Sequence, residues 1–178
     1  MSLASAPRVL PFRFDTETFG RSLRAHLGHW SVAYLVVALA AIFFKMHFAL
    51  GLNSSASLPD RVFLIHKGEF PAHGQYVAFR WAGGGRYPAG VTFVKILAGM
   101  PGDTISRAER DFFVNGDFVG TAKTQSQRGV PLALGPTGEL PPGRYYVRAP
   151  HPDSLDSRYQ LTGWVADSQI IGRAYVLF

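Results

Sequence analysis

Two short stretches hold the residues with chemical potential. In "VTFVKILAGMPGD", Lys95 interrupts a run of β-branched and apolar residues. On a strand, Phe93, Lys95 and Leu97 share one face while Val94 and Ile96 take the other, so the amine has apolar surroundings. A lysine so placed must reach water or give up its proton, because desolvation disfavours the ammonium form. A neutral amine near pH 7 is a general base. The competing reading is an edge-strand lysine that blocks edge-to-edge pairing. The second stretch, "NSSASLP" at residues 53–59, places Ser54, Ser55 and Ser57 directly after a greasy segment. Read alone, it is a Ser-rich linker. A serine hydroxyl is a weak nucleophile until a neighbouring base takes its proton, and lysine fills that place in Ser-Lys hydrolases. Ser57 with Lys95 therefore offers acyl-transfer chemistry.

Other chemistries find less support. The chain has no cysteine, which removes disulfides, thiolate zinc sites and a cysteine nucleophile. His26, His29, His47, His66, His73 and His151 are scattered without a metal-ligand motif, so no metal is expected. No cofactor is expected either, since Ser-Lys chemistry requires none. His66 and His151 stay open as members of a Ser-His-Asp triad, whose parts need only meet in space; each reads more simply as a surface or turn residue. The Gly-rich "AGGGRYPAG" lacks the Gly-Lys-Ser/Thr of a phosphate loop and reads as a flexible turn between strands.

The elements that must position these groups follow from the pattern. Of 178 residues, 47% are hydrophobic, enough for a packed core. The formal charge of +6 divides evenly at residue 52: five basic and two acidic residues before it, thirteen and ten after. No Lys/Arg run stands out, so nucleic-acid binding is not expected. From Trp30 to Leu52 the sequence "WSVAYLVVALAAIFFKMHFALGL" supplies 23 residues, long enough for a transmembrane helix if Lys45 snorkels. A cleaved secretory signal fits poorly, because 29 residues containing two acids precede the segment and no clear A-x-A site follows. Arg21 and Arg24 before the helix predict a cytoplasmic N-terminus. The expected organisation is an N-terminal segment at 1–29, a single span at 30–52 and an external domain at 53–178. That domain reads as mostly β: "RVFLIHKG", "QYVAFRW", "VTFVKILAG", "GRYYVRAP" and "QIIGRAYVLF" are strand candidates. Asn115-Gly116 in "DFFVNGDFVG" is a hairpin signal. Residues 121–138 are polar and Pro/Gly-rich and read as a long loop.

Three blocks in order resemble the signal peptidase I superfamily of Ser-Lys proteases. "SASLP" is similar to its Ser-x-Ser-Met/Leu-x-Pro box, although here the proline follows Leu58 directly. "FVKILAGMPGD" is similar to its Lys-Arg-x-x-Gly-x-Pro-Gly-Asp box, with Ile96 in the arginine place. "SLDSRY" followed by "IIGRA" is similar to its C-terminal box and following strand, with two extra residues in "QLTGWV". Within the superfamily, "NSSASLP" and "APHPDSLDSRY" lean toward the conjugative-transfer pilin peptidases of the TraF type. The resemblance implies a folded β-sheet or barrel catalytic domain behind one N-terminal transmembrane helix. It implies Ser57 as nucleophile and Lys95 as base, with the Ser57 N–H and the Ser55 hydroxyl as oxyanion donors. It further implies that Ser154 aims the amine and that Asp156 supports the site, paired with Arg158, either structurally or catalytically.

The expected function is a membrane-anchored serine endopeptidase at the bacterial inner membrane, its catalytic domain periplasmic. It would cleave leader peptides from exported proteins and mature a pilin-type subunit for conjugation or type IV secretion. The expected partners are a preprotein or pilin-precursor peptide, bound as an extended added strand, and the lipid bilayer. The alternatives are a general signal peptidase I, a His-based hydrolase using His66 or His151, and a non-catalytic periplasmic scaffold subunit of a secretion apparatus.

Overall fold

The computed structural model describes residues 16–178, and the chain divides into two compact units, Met1–Phe43 and Phe44–Phe178. Helix α1 spans Thr16–His47. Its residues Phe19–His47 are long and apolar enough to cross a membrane, by length and composition. Val32, Leu35, Val36, Leu39 and Ile42 are all exposed, as expected of side chains that face lipid rather than a core. The expected helix at 30–52 is corrected at both ends. It starts earlier, and Phe48–Leu52 leaves it to form strand β1. There Leu50 and Leu52 are exposed while Gly51 is buried against Ile65, the alternation of an edge strand. Residues 1–15 of the expected N-terminal segment lie outside the described residues.

The second unit is built from antiparallel sheets, as the strand patterns require. Besides β1 it contains β2 (Val62–Lys67), β3 (Tyr76–Arg80), β4 (Thr92–Gly99), β5 (Thr104–Ala108) and β6 (Asp111–Val114). After these come β7 (Asp117–Thr121), β8 (Gly138–Glu139), β9 (Arg144–Arg148), β10 (Val165–Ala166) and β11 (Ile170–Val176). Seven strands form one sheet in the order β1-β2-β11-β3-β4-β9-β10, and four form another in the order β7-β6-β5-β8. After residue 52 the described residues include no α-helix, only a 3₁₀ turn at Asp167–Gln169.

Strand β4 is the hinge of the architecture. Its even-numbered residues Val94 and Ile96 pack with Leu58, Phe63, Ile65 and Ala174. Its odd-numbered residues Phe93 and Leu97 pack with Val77, Phe79 and Val147 on the opposite face. Beyond Gly99 the chain turns into β5 through Met100–Asp103: Asp103 N–H donates to Met100 O (2.9 Å), and Gly102 has φ +91°. Proline followed by a positive-φ glycine is the signature of a type II turn. Asp103 locks it, since one carboxylate oxygen accepts from Met100 N–H (2.7 Å) and the other from Asn115 Nδ2 (2.7 Å). The "MPGD" of the lysine block is thus the joint that carries the chain from one sheet to the other. Asn115 (φ +51°) and Gly116 (φ +89°) close the β6–β7 hairpin, a left-handed pair suited to a two-residue turn.

Candidate active site

Lys95 sits in the middle of β4, opposite Val77 of β3. It is 5% exposed, and its Nζ lies 5.7 Å from the Phe93 ring centroid. Among the described residues the amine's one hydrogen bond is donated to Ser154 Oγ, at 2.8 Å. Burial among apolar groups pulls the amine's pKa from 10.5 down to about 8. The Asp156 carboxylate opposes that shift and the Arg158 guanidinium assists it. An amine in this range has an appreciable uncharged fraction at neutral pH, reaching half near pH 8, and in that form can accept a proton.

Ser154 is held by the third block, which runs alongside β9. Ser157 exchanges bonds with Val147, N–H to carbonyl at 3.0 Å and Oγ accepting the Val147 N–H at 3.0 Å. Asp156 Oδ2 accepts the Ala149 N–H at 2.9 Å. Asp156 and Arg158 form a bidentate pair, Nε to Oδ1 and Nη2 to Oδ2, both at 2.8 Å. Asp156 is fully buried and Arg158 nearly so. Such a pair persists only when its remaining groups are satisfied, and Arg158 Nη1 duly donates to Thr121 O (2.9 Å). Gly120 makes room for it: φ there is +139°, and a Cβ would come within 2.9 Å of Nη1. The carboxylate makes no hydrogen bond to Lys95; it acts on the amine through space.

Ser57 is 7% exposed and lies on the loop between β1 and β2. Ser55 Oγ stands 2.9 Å from Ser57 Oγ and 2.9 Å from Asn53 Oδ1. An amide oxygen only accepts, so Ser55 donates to Asn53 and receives the Ser57 hydroxyl proton. The Ser57 N–H also points at Ser55 Oγ, at 3.4 Å. Ser57 and Lys95 make no direct hydrogen bond to one another. They line the same cleft, of about 1410 Å³, together with Ser55, Phe93, Ser154 and Tyr159.

Of the residues named from sequence, Ser55, Ser57, Lys95 and Ser154 converge on this cleft, while Asp156 and Arg158 form the buried brace behind it. The two histidines do not assemble a triad with Ser57. His66 is on β2 and bonds Glu69 (2.6 Å), and His151 Nδ1 accepts the Asp153 N–H (3.2 Å) at the cleft wall. Among the described residues no group of three or more metal-ligating side chains occurs.

The chain's sequence matches the profile of a family described as signal peptidase, peptidase S26, over residues 24–178. It belongs to the S26 signal peptidase family. The members of that family are serine peptidases, in keeping with a serine loop and a buried amine in one cleft. A relative, signal peptidase I U of Bacillus subtilis (strain 168), is 26% identical over 164 residues, spanning 83% of this chain and 82% of that protein. The crystal structure of a signal peptidase I from Enterococcus faecalis V583 aligns with a TM-score of 0.40. It is 25% identical and covers 62% of this chain and 98% of that one.

Sequence reasoning assigned no role to Asn53, whose side chain organises the serine loop. Nδ2 donates to Leu58 O (3.2 Å) and Asp60 O (3.1 Å). Oδ1 accepts from Ser55 N–H (3.2 Å) and Ser55 Oγ (2.9 Å). All four hydrogen-bonding positions of the amide are used, and its backbone N–H adds a bond to Arg61 O (2.8 Å). The available signal was an Asn two residues before a serine, the pattern of an Asx turn. Asn53→Ala is expected to cost about 1–2 kcal/mol of stability from the lost bonds and to lower kcat about tenfold or more with little change in KM. Thermal unfolding and steady-state kinetics measure the two effects.

Proposed function

We propose that this chain is a membrane-anchored Ser-Lys endopeptidase that cleaves leader peptides from exported proteins. The observation that carries the reading is the buried Lys95 amine, held by Ser154 in the cleft that also holds Ser57. In the reaction, Ser57 turns about χ1 from Ser55 toward the amine, and Lys95 takes its proton as Oγ attacks the scissile carbonyl. The Ser57 N–H and the Ser55 hydroxyl, now paired with each other and with Asn53, turn to the developing oxyanion. Lys95 returns the proton to the leaving amine, and water then releases the acyl group by the same route in reverse. Asp156 and Arg158 keep the block bearing Ser154 in place.

The substrate strand has a docking edge. From Ile96 onward β4 pairs with β9, but among the described residues Thr92–Lys95 has only β3 beside it. Leu97 directs its N–H to Gln75 O (2.9 Å) and its C=O to the Gly74 N–H (2.7 Å). Antiparallel alternation therefore points the backbone groups of Val94 and Thr92 away from β3 and toward the cleft. An extended peptide adds there as a strand. Helix α1 is the membrane anchor, with the N-terminus cytoplasmic and the cleft on the periplasmic side of a bacterial inner membrane. This places the cleft where exported precursors emerge.

The preferred substrate in this reading is a pilin-type precursor for conjugation or type IV secretion. Its support is the TraF-type pattern of "NSSASLP", whose asparagine closes the serine loop. Incubating the purified full chain with a pilin precursor and with unrelated preproteins tests it. Cleavage of the pilin precursor is expected to be at least about tenfold faster. Similar rates on many unrelated preproteins would make the chain a general signal peptidase.

A further inference from the structure

The cleft carries a charge pattern that the proposed dyad does not use. Its lining includes Arg86, Lys123 and Arg128 besides Lys95, with Asp153 as the one carboxylate among the described residues. Asp153 is already engaged, since Lys123 Nζ and Gln127 Nε2 (2.9 Å) both donate to it. Arg86 lies over the Tyr87 ring, 4.8 Å from its centroid. Neither Arg86 nor Arg128 takes part in an ion pair among the described residues.

Arg128 stands on a built element. The segment read from sequence as part of a polar loop is a hairpin over residues 123–133. Arg110 pins both of its stems, donating to Ala122 O (2.6 Å), Lys123 O and Leu132 O (3.3 Å). Gln125 bridges to Pro131, and Leu132 N–H donates to Thr124 O at 2.8 Å. At the tip, Ser126 N–H donates to Val130 O (2.8 Å) and Gly129 N–H to Ser126 O (2.9 Å). Ser126 Oγ accepts from the N–H groups of Arg128 (3.4 Å) and Val130 (3.2 Å). Lys123 N–H is tied to Tyr159 Oη (3.1 Å), beside Arg158.

We infer that the 123–133 hairpin is the substrate-selecting wall of the cleft, and that Arg128, with Arg86, reads a carboxylate side chain in the bound peptide. The inference rests on the peptidase reading and adds a substrate class to it: precursors with an acidic residue close to the cut. A glutamate or aspartate entering the cleft meets two guanidiniums, whereas a lysine meets the same two guanidiniums and a carboxylate already engaged by Lys123 and Gln127. Complementarity of this kind sets specificity through both its attractive and its repulsive side. Anionic lipid headgroups share the chemistry, but these arginines line the same cavity as Ser57 and Lys95, which favours the peptide.

The test uses the full chain in nonionic detergent. The probes are quenched fluorescent peptides with alanines ahead of the cut and a single glutamate or glutamine moved through the flanking positions. At one or more positions glutamate is expected to raise kcat/KM about five- to tenfold over glutamine at low ionic strength, chiefly through KM. Added salt should shrink the ratio, and Arg128→Gln should bring it toward one, a coupling that a double-mutant cycle isolates. Equal rates for both peptides at every position would overturn the inference. So would a glutamate preference that survives Arg128→Gln and Arg86→Gln together. A rate that responds to phosphatidylglycerol vesicles but not to peptide charge would assign the arginines to the membrane instead. Cleavage of none of the peptides would overturn the peptidase reading itself, and this inference with it.

Discussion

Replacing Ser57 by alanine is expected to lower kcat at least about 10³-fold while leaving KM and the fold nearly unchanged. The size of the effect follows from the site. The Ser55 hydroxyl is 2.9 Å away but is committed to Asn53 and sits outside the proposed line from nucleophile to amine, so it does not replace the missing oxygen. The structural cost is small. Among the described residues Ser57 Oγ bonds only Ser55, and losing that bond costs about 1 kcal/mol, which thermal unfolding would register as a shift of a few degrees. Processing that survives Ser57→Ala would make the β-domain a non-catalytic module.

Lys95→Met is expected to move activity and stability in opposite directions. Activity should fall by a similar factor to Ser57→Ala, since methionine cannot accept the proton; a His-based enzyme would keep most of its rate. Stability near neutral pH should rise, because a buried lysine is a liability that a similar-sized apolar side chain relieves. The pH dependence has a definite sign. Burial lowers the amine's pKa to about 8 in the folded protein, against 10.5 for an ordinary lysine, so between these values the unfolded chain binds more protons. The Lys95 contribution to stability therefore improves as pH rises through that window, is absent above it, and is a constant penalty below it. The penalty is on the order of 3 kcal/mol at most, less the Ser154 bond that methionine leaves unmade. The stability gain of Lys95→Met should be largest at pH 7 and vanish by about pH 11. Chemical denaturation across pH measures it.

Much of this was legible in the chain. Alternation and β-branched content placed β2, β3, β4, β9 and β11, and Asn115-Gly116 placed a hairpin. The lysine stood out because both faces of its strand are apolar, but the strand pattern alone fitted an edge-strand lysine as well; only its pairing with the serine motif pointed to a buried base. Three features were hidden, each for a physical reason. Residues 48–52 continue the apolar run of the helix, and an unbroken apolar run does not distinguish helix from strand; pairing with β2 decides it. The 123–133 hairpin is polar and Pro/Gly-rich, and what shapes it comes from far along the chain, through Arg110 and Asp153. The start of α1 near residue 16 carries few apolar residues, so hydropathy alone did not reveal it. The serine loop falls between these cases, since its motif was visible while the four bonds of Asn53 required coordinates.

In the proposed mechanism one amine, kept dry by β4 and aimed by Ser154, takes the proton of Ser57. The pH dependence of kcat/KM for the full chain on a fixed peptide tests it most directly. The rate is expected to climb with pH along a single ionisation with an apparent pKa near 8, an ionisation that Ser154→Ala displaces. A flat or acid-favoured profile, or a limb left unmoved by changes around Lys95, would contradict it.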